Sequence, residues 1–126
     1  MNFPDNVKYH TEHTWIKVEG TIGSIGITDF AQKELGEIVY ADLPNSGTNL
    51  DQDEIFGSVE AIKTVSDLFM PVSGKVLEVN VALNDEPTLV NTDPFGKGWM
   101  LKVHLSNPEE LSALLDATAY REKVGY

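Results

Sequence analysis

The stretch Ile55-Phe56-Gly57-Ser58-Val59-Glu60-Ala61-Ile62-Lys63-Thr64-Val65-Ser66-Asp67-Leu68-Phe69-Met70 decides how the fold is read. Ile55 to Ile62 alternates imperfectly between apolar and polar residues, and Thr64 to Met70 is rich in β-branched and aromatic side chains. Each run has strand length, so a hairpin is predicted with Lys63 where the chain reverses. Two paired strands would hold that amine out to solvent, within reach of a modifying enzyme. The turn cluster Pro71-Val72-Ser73-Gly74 closes the second run.

Outward from this hairpin the same grammar repeats. On the N-terminal side, Trp15–Val18 and Thr21–Ile27 read as strands joined by the turn Glu19-Gly20. Thr28 to Gly36 carries a capping residue, three apolar positions at helical spacing and a terminal glycine, which predicts a short helix near 28–35. Ile38–Leu43 is a strand closed by Pro44-Asn45-Ser46-Gly47, and Asp51-Gln52-Asp53-Glu54 is an acidic loop.

On the C-terminal side, Lys75–Val81 continues the sheet, Asn84 to Pro87 reads as a polar loop, and Trp99–Leu105 as the last strand. Asn107-Pro108-Glu109-Glu110 is a helix start, and Leu111, Leu114 and Leu115 make an apolar stripe. A C-terminal helix, broken near Asp116, is expected to pack on the sheets. Short strands at intervals of about ten residues, with helices as additions, predict a mainly β sandwich or barrel.

Composition bounds the function. A chain of 126 residues, 41% hydrophobic and 23% charged, suits one soluble domain spanning 1–126. The net charge of −11 repels phosphate backbones, so no nucleic-acid partner is expected. No apolar run approaches the roughly 20 residues of a membrane-spanning helix. With no cysteine, the polypeptide itself offers no disulfide, thiolate ligand or thiol nucleophile. Met1-Asn2-Phe3-Pro4-Asp5 lacks the features of a secretory signal or a transit peptide, so cytoplasmic residence is expected.

Enzyme motifs are missing. His10 and His13 have no further ligand at metal-site spacing and read as packing or loop hydrogen-bonding residues. Asp51–Glu54 lacks the glycine and distal glutamate of a calcium loop, Gly96-Lys97-Gly98 lacks the spacing of a phosphate loop, and Gly-x-Ser-x-Gly occurs nowhere. No catalytic residue and no metal is expected. A lone lysine at a turn is ordinarily a solvating residue, protonated at neutral pH with a reference pKa of about 10.4.

Context gives this lysine more weight. Val59-Glu60-Ala61-Ile62-Lys63-Thr64-Val65-Ser66-Asp67, with Pro71-Val72-Ser73-Gly74 and Val79-Asn80 after it, closely resembles the lipoylation segment of glycine cleavage H proteins. The resemblance continues in order through nearly the whole chain. It includes Tyr9, His13 and Trp15, then Gly26-Ile27-Thr28, Ala31-Gln32 and Leu35-Gly36, then Leu89-Val90-Asn91, Gly98-Trp99 and Leu114 to Tyr120. Biotin carrier domains usually place methionines on both sides of their lysine, where this chain has Ile62 and Thr64. The acyltransferase lipoyl domains of 2-oxoacid dehydrogenases are ordinarily shorter and tethered by Ala/Pro-rich linkers, which are absent here.

The resemblance implies a lipoyl-domain fold, a barrel-sandwich hybrid of two antiparallel sheets, and a carrier without catalysis of its own. It places one covalent (R)-lipoate per chain on Lys63 as N6-lipoyllysine. It implies that the arm takes the aminomethyl group of glycine at the decarboxylase (P protein), delivers it to the aminomethyltransferase (T protein) and is reoxidised by dihydrolipoamide dehydrogenase (L protein). Lipoate ligase, or an octanoyltransferase with lipoyl synthase, would install the group, with Glu60 and Asp67 as candidates for recognition by that machinery. A monomer is expected.

In the same family the loaded arm folds into a cleft on the body. Asp67 matches a position near that cleft, whereas Thr14 departs from the glutamate usual between the His and the Trp. In an extended segment positions 12 and 14 face one side, which makes Glu12 the candidate replacement carboxylate. The loss at position 14 also motivates an alternative role, a lipoyl-relay or interaction protein that donates lipoyl or octanoyl groups to other lipoyl domains.

Overall fold

The computed structural model describes residues 1–126 as two antiparallel sheets with short helices at their margins. Nine strands occur in chain order: β1 Lys8–Tyr9, β2 Thr14–Glu19, β3 Ile22–Ile27, β4 Ile38–Asp42, β5 Asn49–Leu50, β6 Ile55–Ala61, β7 Val65–Phe69, β8 Gly74–Val79 and β9 Leu101–Leu105. One sheet has the order β1-β2-β3-β9-β8-β5 and the other β4-β6-β7.

The imperfect alternation of Ile55 to Ile62 has a structural cause. The β6–β7 register shifts between Ile55 and Gly57, so a bulge resets which side chains face inward, and Phe56, Val59 and Ala61 are buried. At Gly57 an added Cβ would collide with the Asp42 carbonyl oxygen of β4, so close backbone approach excludes any larger residue. The inner residues of both sheets, among them Ile25, Ile38, Val59, Leu68, Met70 and Leu101, form one core. A smaller cluster of Val7, Tyr9, Trp15, Ala117 and Tyr120 seats the C-terminal helix.

Helix α1, Asp29–Leu35, forms where its signals stand. Thr28 Oγ1 accepts from the Ala31 N–H at 3.1 Å, and Gly36 ends the helix at φ 81°, a value that favours glycine.

Three expectations are corrected. The strand read through Val81 stops at Val79 because the buried Asn80 amide donates to the carbonyls of Lys97 and Trp99, turning the chain. The loop read over 84–87 instead contributes to α2, Ala82–Asp85, and is followed by α3, Leu89–Thr92; buried Leu83 and Val90 anchor these turns to the core. The last strand begins at Leu101 rather than Trp99.

The C-terminal segment is divided, as the expected break near Asp116 requires. Pro108–Ala113 is a 3-10 helix, and α4, Ala117–Lys123, starts at Asp116, whose carboxylate accepts from the Ala119 N–H at 2.8 Å. Asn107 makes no side-chain cap. Leu111 and Leu114 pack on the main core, whereas Leu115 pairs by backbone with Tyr9 and joins the smaller cluster.

Candidate functional site

Lys63 lies in the turn between β6 and β7, closed by the Ala61 N–H donating to the Thr64 carbonyl at 2.8 Å. Its neighbours Ile62 and Val65 are 69% and 61% exposed, and Lys63 itself is exposed and in no ion pair. Nothing in the fold covers its amine. On the outer face of the three-stranded sheet, Glu60 stands between Tyr40 and Val65 in the cross-strand register, and Asp67 pairs with Ser58. Glu60 therefore sits beside the turn and is exposed, as a residue read by a modifying enzyme must be.

A cleft of about 270 Å³ runs along β7 and α1. Ile27, Ala31, Leu35, Val59 and Leu68 give it apolar walls, and Glu12, Glu34 and Asp67 place three carboxylates around it. Such a lining suits an alkyl chain that ends in a cation: apolar walls take the methylenes, and carboxylates compensate a charge leaving water.

The structure brings together two of the three cleft candidates. Asp67 and Glu12 line the cleft; Thr14 does not, being 1% exposed with its hydroxyl donating to the Phe69 carbonyl at 2.8 Å. The premise that positions 12 and 14 share a face also fails, because the segment before Thr14 is a turn. His13 has φ 73°, its N–H donates to the His10 carbonyl at 3.0 Å, and Thr14 opens β2. Glu12 reaches the cleft through this turn, held by its own N–H donating to His10 Nδ1 at 3.0 Å.

That bond defines His10. With Nδ1 accepting, Nε2 is the donor to Asp53 Oδ1 at 2.6 Å. Both histidines are thus loop hydrogen-bonding residues: His13 Nδ1 lies 2.8 Å from the Tyr120 hydroxyl, which lies 2.7 Å from Thr28 Oγ1. Burial pushes the His13 imidazole below its ordinary value; Glu12 and Glu34 pull it up, and Lys123 and His10 push it further down. Burial raises the Tyr120 phenol to about 12, with the Thr28 hydrogen bond acting the other way.

Glu34 and Ser66 escaped the sequence reading. Glu34 lies four residues after Phe30 and three after Ala31, so helical spacing puts it on the face of α1 that meets the cleft. Only the position of β7 opposite that face makes it part of a site.

Two antiparallel sheets, an exposed hairpin lysine and an acid-rimmed cleft define a small carrier domain of the lipoyl type. Residues 7–125 match the family model of the glycine cleavage H-protein. The chain is 58% identical over 119 residues to the glycine cleavage system H protein of Symbiobacterium thermophilum, covering 94% of this chain and 93% of that one. It is 52% identical over 124 residues to the H protein of Bacteroides fragilis, covering 98% of each. The crystal structure of an H protein from Mycobacterium marinum superposes with a TM-score of 0.89 at 36% identity, over 98% of this chain and 99% of that one.

The chain belongs to the glycine cleavage H-protein family. It is a lipoyl carrier component of the glycine cleavage system and not a catalyst.

Proposed function

We propose that Lys63 bears the lipoyl group and that the cleft lined by Glu12, Glu34 and Asp67 shelters the loaded arm between enzymes. The observation that carries this reading is the exposed lysine in a two-strand turn, whose second strand, β7, runs on into a cleft with apolar walls and an acidic rim. Bound lipoate supplies a disulfide that accepts the aminomethyl group of glycine and is left as a dithiol once that group is passed on.

The chain's own residues present, shelter and release. The turn holds Lys63 clear of the body, and the lysyl and lipoyl chain of about 1.5 Å bonds spans on the order of 10–15 Å. That reach lets the arm enter the active sites of the P protein, the T protein and the L protein in turn. The cleft would keep water from the labile S–C–N linkage of a loaded arm, while Glu12, Glu34 and Asp67 would offset its ammonium charge.

Glu60 and Asp67, on the exposed face beside the turn, are the residues read by the lipoate ligase, or by the octanoyltransferase that precedes lipoyl synthase. The protein works as a cytoplasmic single-domain monomer. No helix is long and apolar enough to cross a membrane. The relay alternative started from the missing carboxylate at position 14; with Thr14 outside the cleft and three other carboxylates around it, that starting point is removed.

Incubation with lipoate and a lipoate ligase, followed by peptide mass mapping, tests the assignment. One lipoyl adduct on the Lys63 peptide, absent in Lys63→Arg, is expected, together with glycine-dependent carbon dioxide exchange once a cognate decarboxylase is added. An adduct on another lysine in Lys63→Arg rejects the site.

A further inference from the structure

Tyr120 does not line the cleft, yet its hydroxyl sets the state of a side chain that does. Thr28 Oγ1 accepts from the Ala31 N–H at 3.1 Å, and the residue is 1% exposed. The hydroxyl proton of Thr28 then has one partner, Tyr120 Oη at 2.7 Å. Tyr120 in turn has its own proton free for His13 Nδ1 at 2.8 Å. The opposite order, Tyr120 donating to Thr28 and His13 to Tyr120, strands the Thr28 proton in the interior without an acceptor. Hydrogen-bond accounting therefore makes Nδ1 the acceptor and places the proton of the neutral imidazole on Nε2.

Resting on the reading that the loaded arm folds into the cleft, we propose that Tyr120 is a positioning residue. By donating to His13 Nδ1 from the C-terminal helix, it keeps the imidazole uncharged and so keeps a second cation out of the wall against which the cationic arm lies.

The groups facing His13 come from every side. Glu12 and His10 share its loop, Glu34 stands on α1, Asp67 on β7, and Lys123 and Tyr120 on α4. Glu12 and Glu34 favour an imidazolium, which would compete with the arm's ammonium for them. A donor aimed at Nδ1 opposes this, because it can be satisfied only by the neutral ring. The ring is further fixed against Phe30, at 5.2 Å between centroids. Residues far apart in sequence thus meet, and α4 reaches the cleft through one hydroxyl. Acidification that protonates His13 breaks this bond and releases the arm to water.

Nitrogen-resolved NMR of the imidazoles in the unmodified full-length protein, from pH 5 to 8, tests the proposal without an arm. His13 is expected with Nε2 protonated and Nδ1 bare, and its titration midpoint is expected to rise in Tyr120→Phe, which keeps the ring stacked on Tyr9. Nδ1 protonated in the native neutral ring overturns the proposal whether or not the variant folds, and so does an unchanged midpoint in a folded variant. The second measurement follows ammonia release from the lipoylated, aminomethyl-loaded protein without the aminomethyltransferase. The ratio of Tyr120→Phe to native is expected near one at pH 8 and about two- to tenfold at pH 6, the range that one hydrogen bond spans. Imidazole spectra as expected, with a ratio that stays flat across pH, instead overturn the reading that the arm lies against His13.

Discussion

His10 Nε2 donates to Asp53 Oδ1 across 2.6 Å, tying the loop that carries Glu12 and His13 to the acidic turn between β5 and β6. The histidine is buried and the aspartate side chain is 72% exposed. Asp53 also stands at φ 71°, where most L side chains are strained. Asp53→Ala is expected to cost about 1–2 kcal/mol, from the lost bond and from an alanine held in that conformation. Asp53→Asn, which tolerates the backbone and keeps an acceptor, should recover much of it. Urea denaturation of the two variants measures the difference.

The three carboxylates around the cleft should act on the loaded arm and leave acylation of Lys63 unchanged in Glu12→Gln and Glu34→Gln. Charge-assisted hydrogen bonds contribute about 1.5–3 kcal/mol each, so each substitution that removes a true partner raises ammonia release by roughly ten- to a hundredfold. Asp67→Asn is expected to show the same release, with slower acylation in addition if the ligase reads that residue. Release rates for Glu12→Gln, Glu34→Gln and Asp67→Asn, singly and combined, separate direct partners from solvated charges; three rates equal to the native one leave protection to shape and dryness alone.

Gly57→Ala should destabilise the hairpin from behind. An added methyl at Gly57 meets the Asp42 carbonyl oxygen, which belongs to backbone and cannot swing aside. The cost expected is about 3 kcal/mol, at the upper end for overpacking. Faster amide hydrogen exchange should concentrate in β4 and β6, the two strands forced apart. A uniform loss of protection across both sheets contradicts this placement of the strain.

The protein should lose stability in alkali through its buried phenols. Tyr120 has its phenol raised from 10.0 to about 12, so the folded protein keeps a proton that the unfolded chain releases. Stability from this group is fully present below pH 10 and falls as pH rises toward 12, by at most about 1.4 kcal/mol per pH unit. Tyr9, raised by burial and by Tyr120, acts in the same direction. On the acid side the sign reverses: His13 is lowered from 6.5, so the unfolded chain takes the proton first and stability declines as pH falls through that value. Thermal unfolding across pH 5 to 11 should show both slopes, the acid one reduced in His13→Gln and the alkaline one reduced in Tyr120→Phe.

Much of this was legible in the chain itself. The β6–β7 hairpin, the turn at Lys63, the Thr28 cap and the Gly36 stop are local features, decided by residues a few positions apart and by conformations that few residue types adopt. Family membership was equally legible, because the motifs run in order through almost the whole length. Local patterns were misleading where a distant partner intervened. Asn80 ends β8 by bonding to Lys97 and Trp99 carbonyls, and Leu83 and Val90 draw an otherwise polar stretch into two helical turns by burying themselves in the core.

The cleft belonged to tertiary structure alone. Glu12, Glu34 and Asp67 come from a turn, a helix and a strand that share no sequence pattern, and Thr14 was excluded from the cleft by a left-handed residue at His13 that alternation cannot foresee. The same holds for the bond between His13 and Tyr120, whose partners lie at opposite ends of the chain. A sequence encodes local conformational preference directly; which charges face one another depends on how the two sheets and α4 pack, and that is settled by burial of the whole core at once.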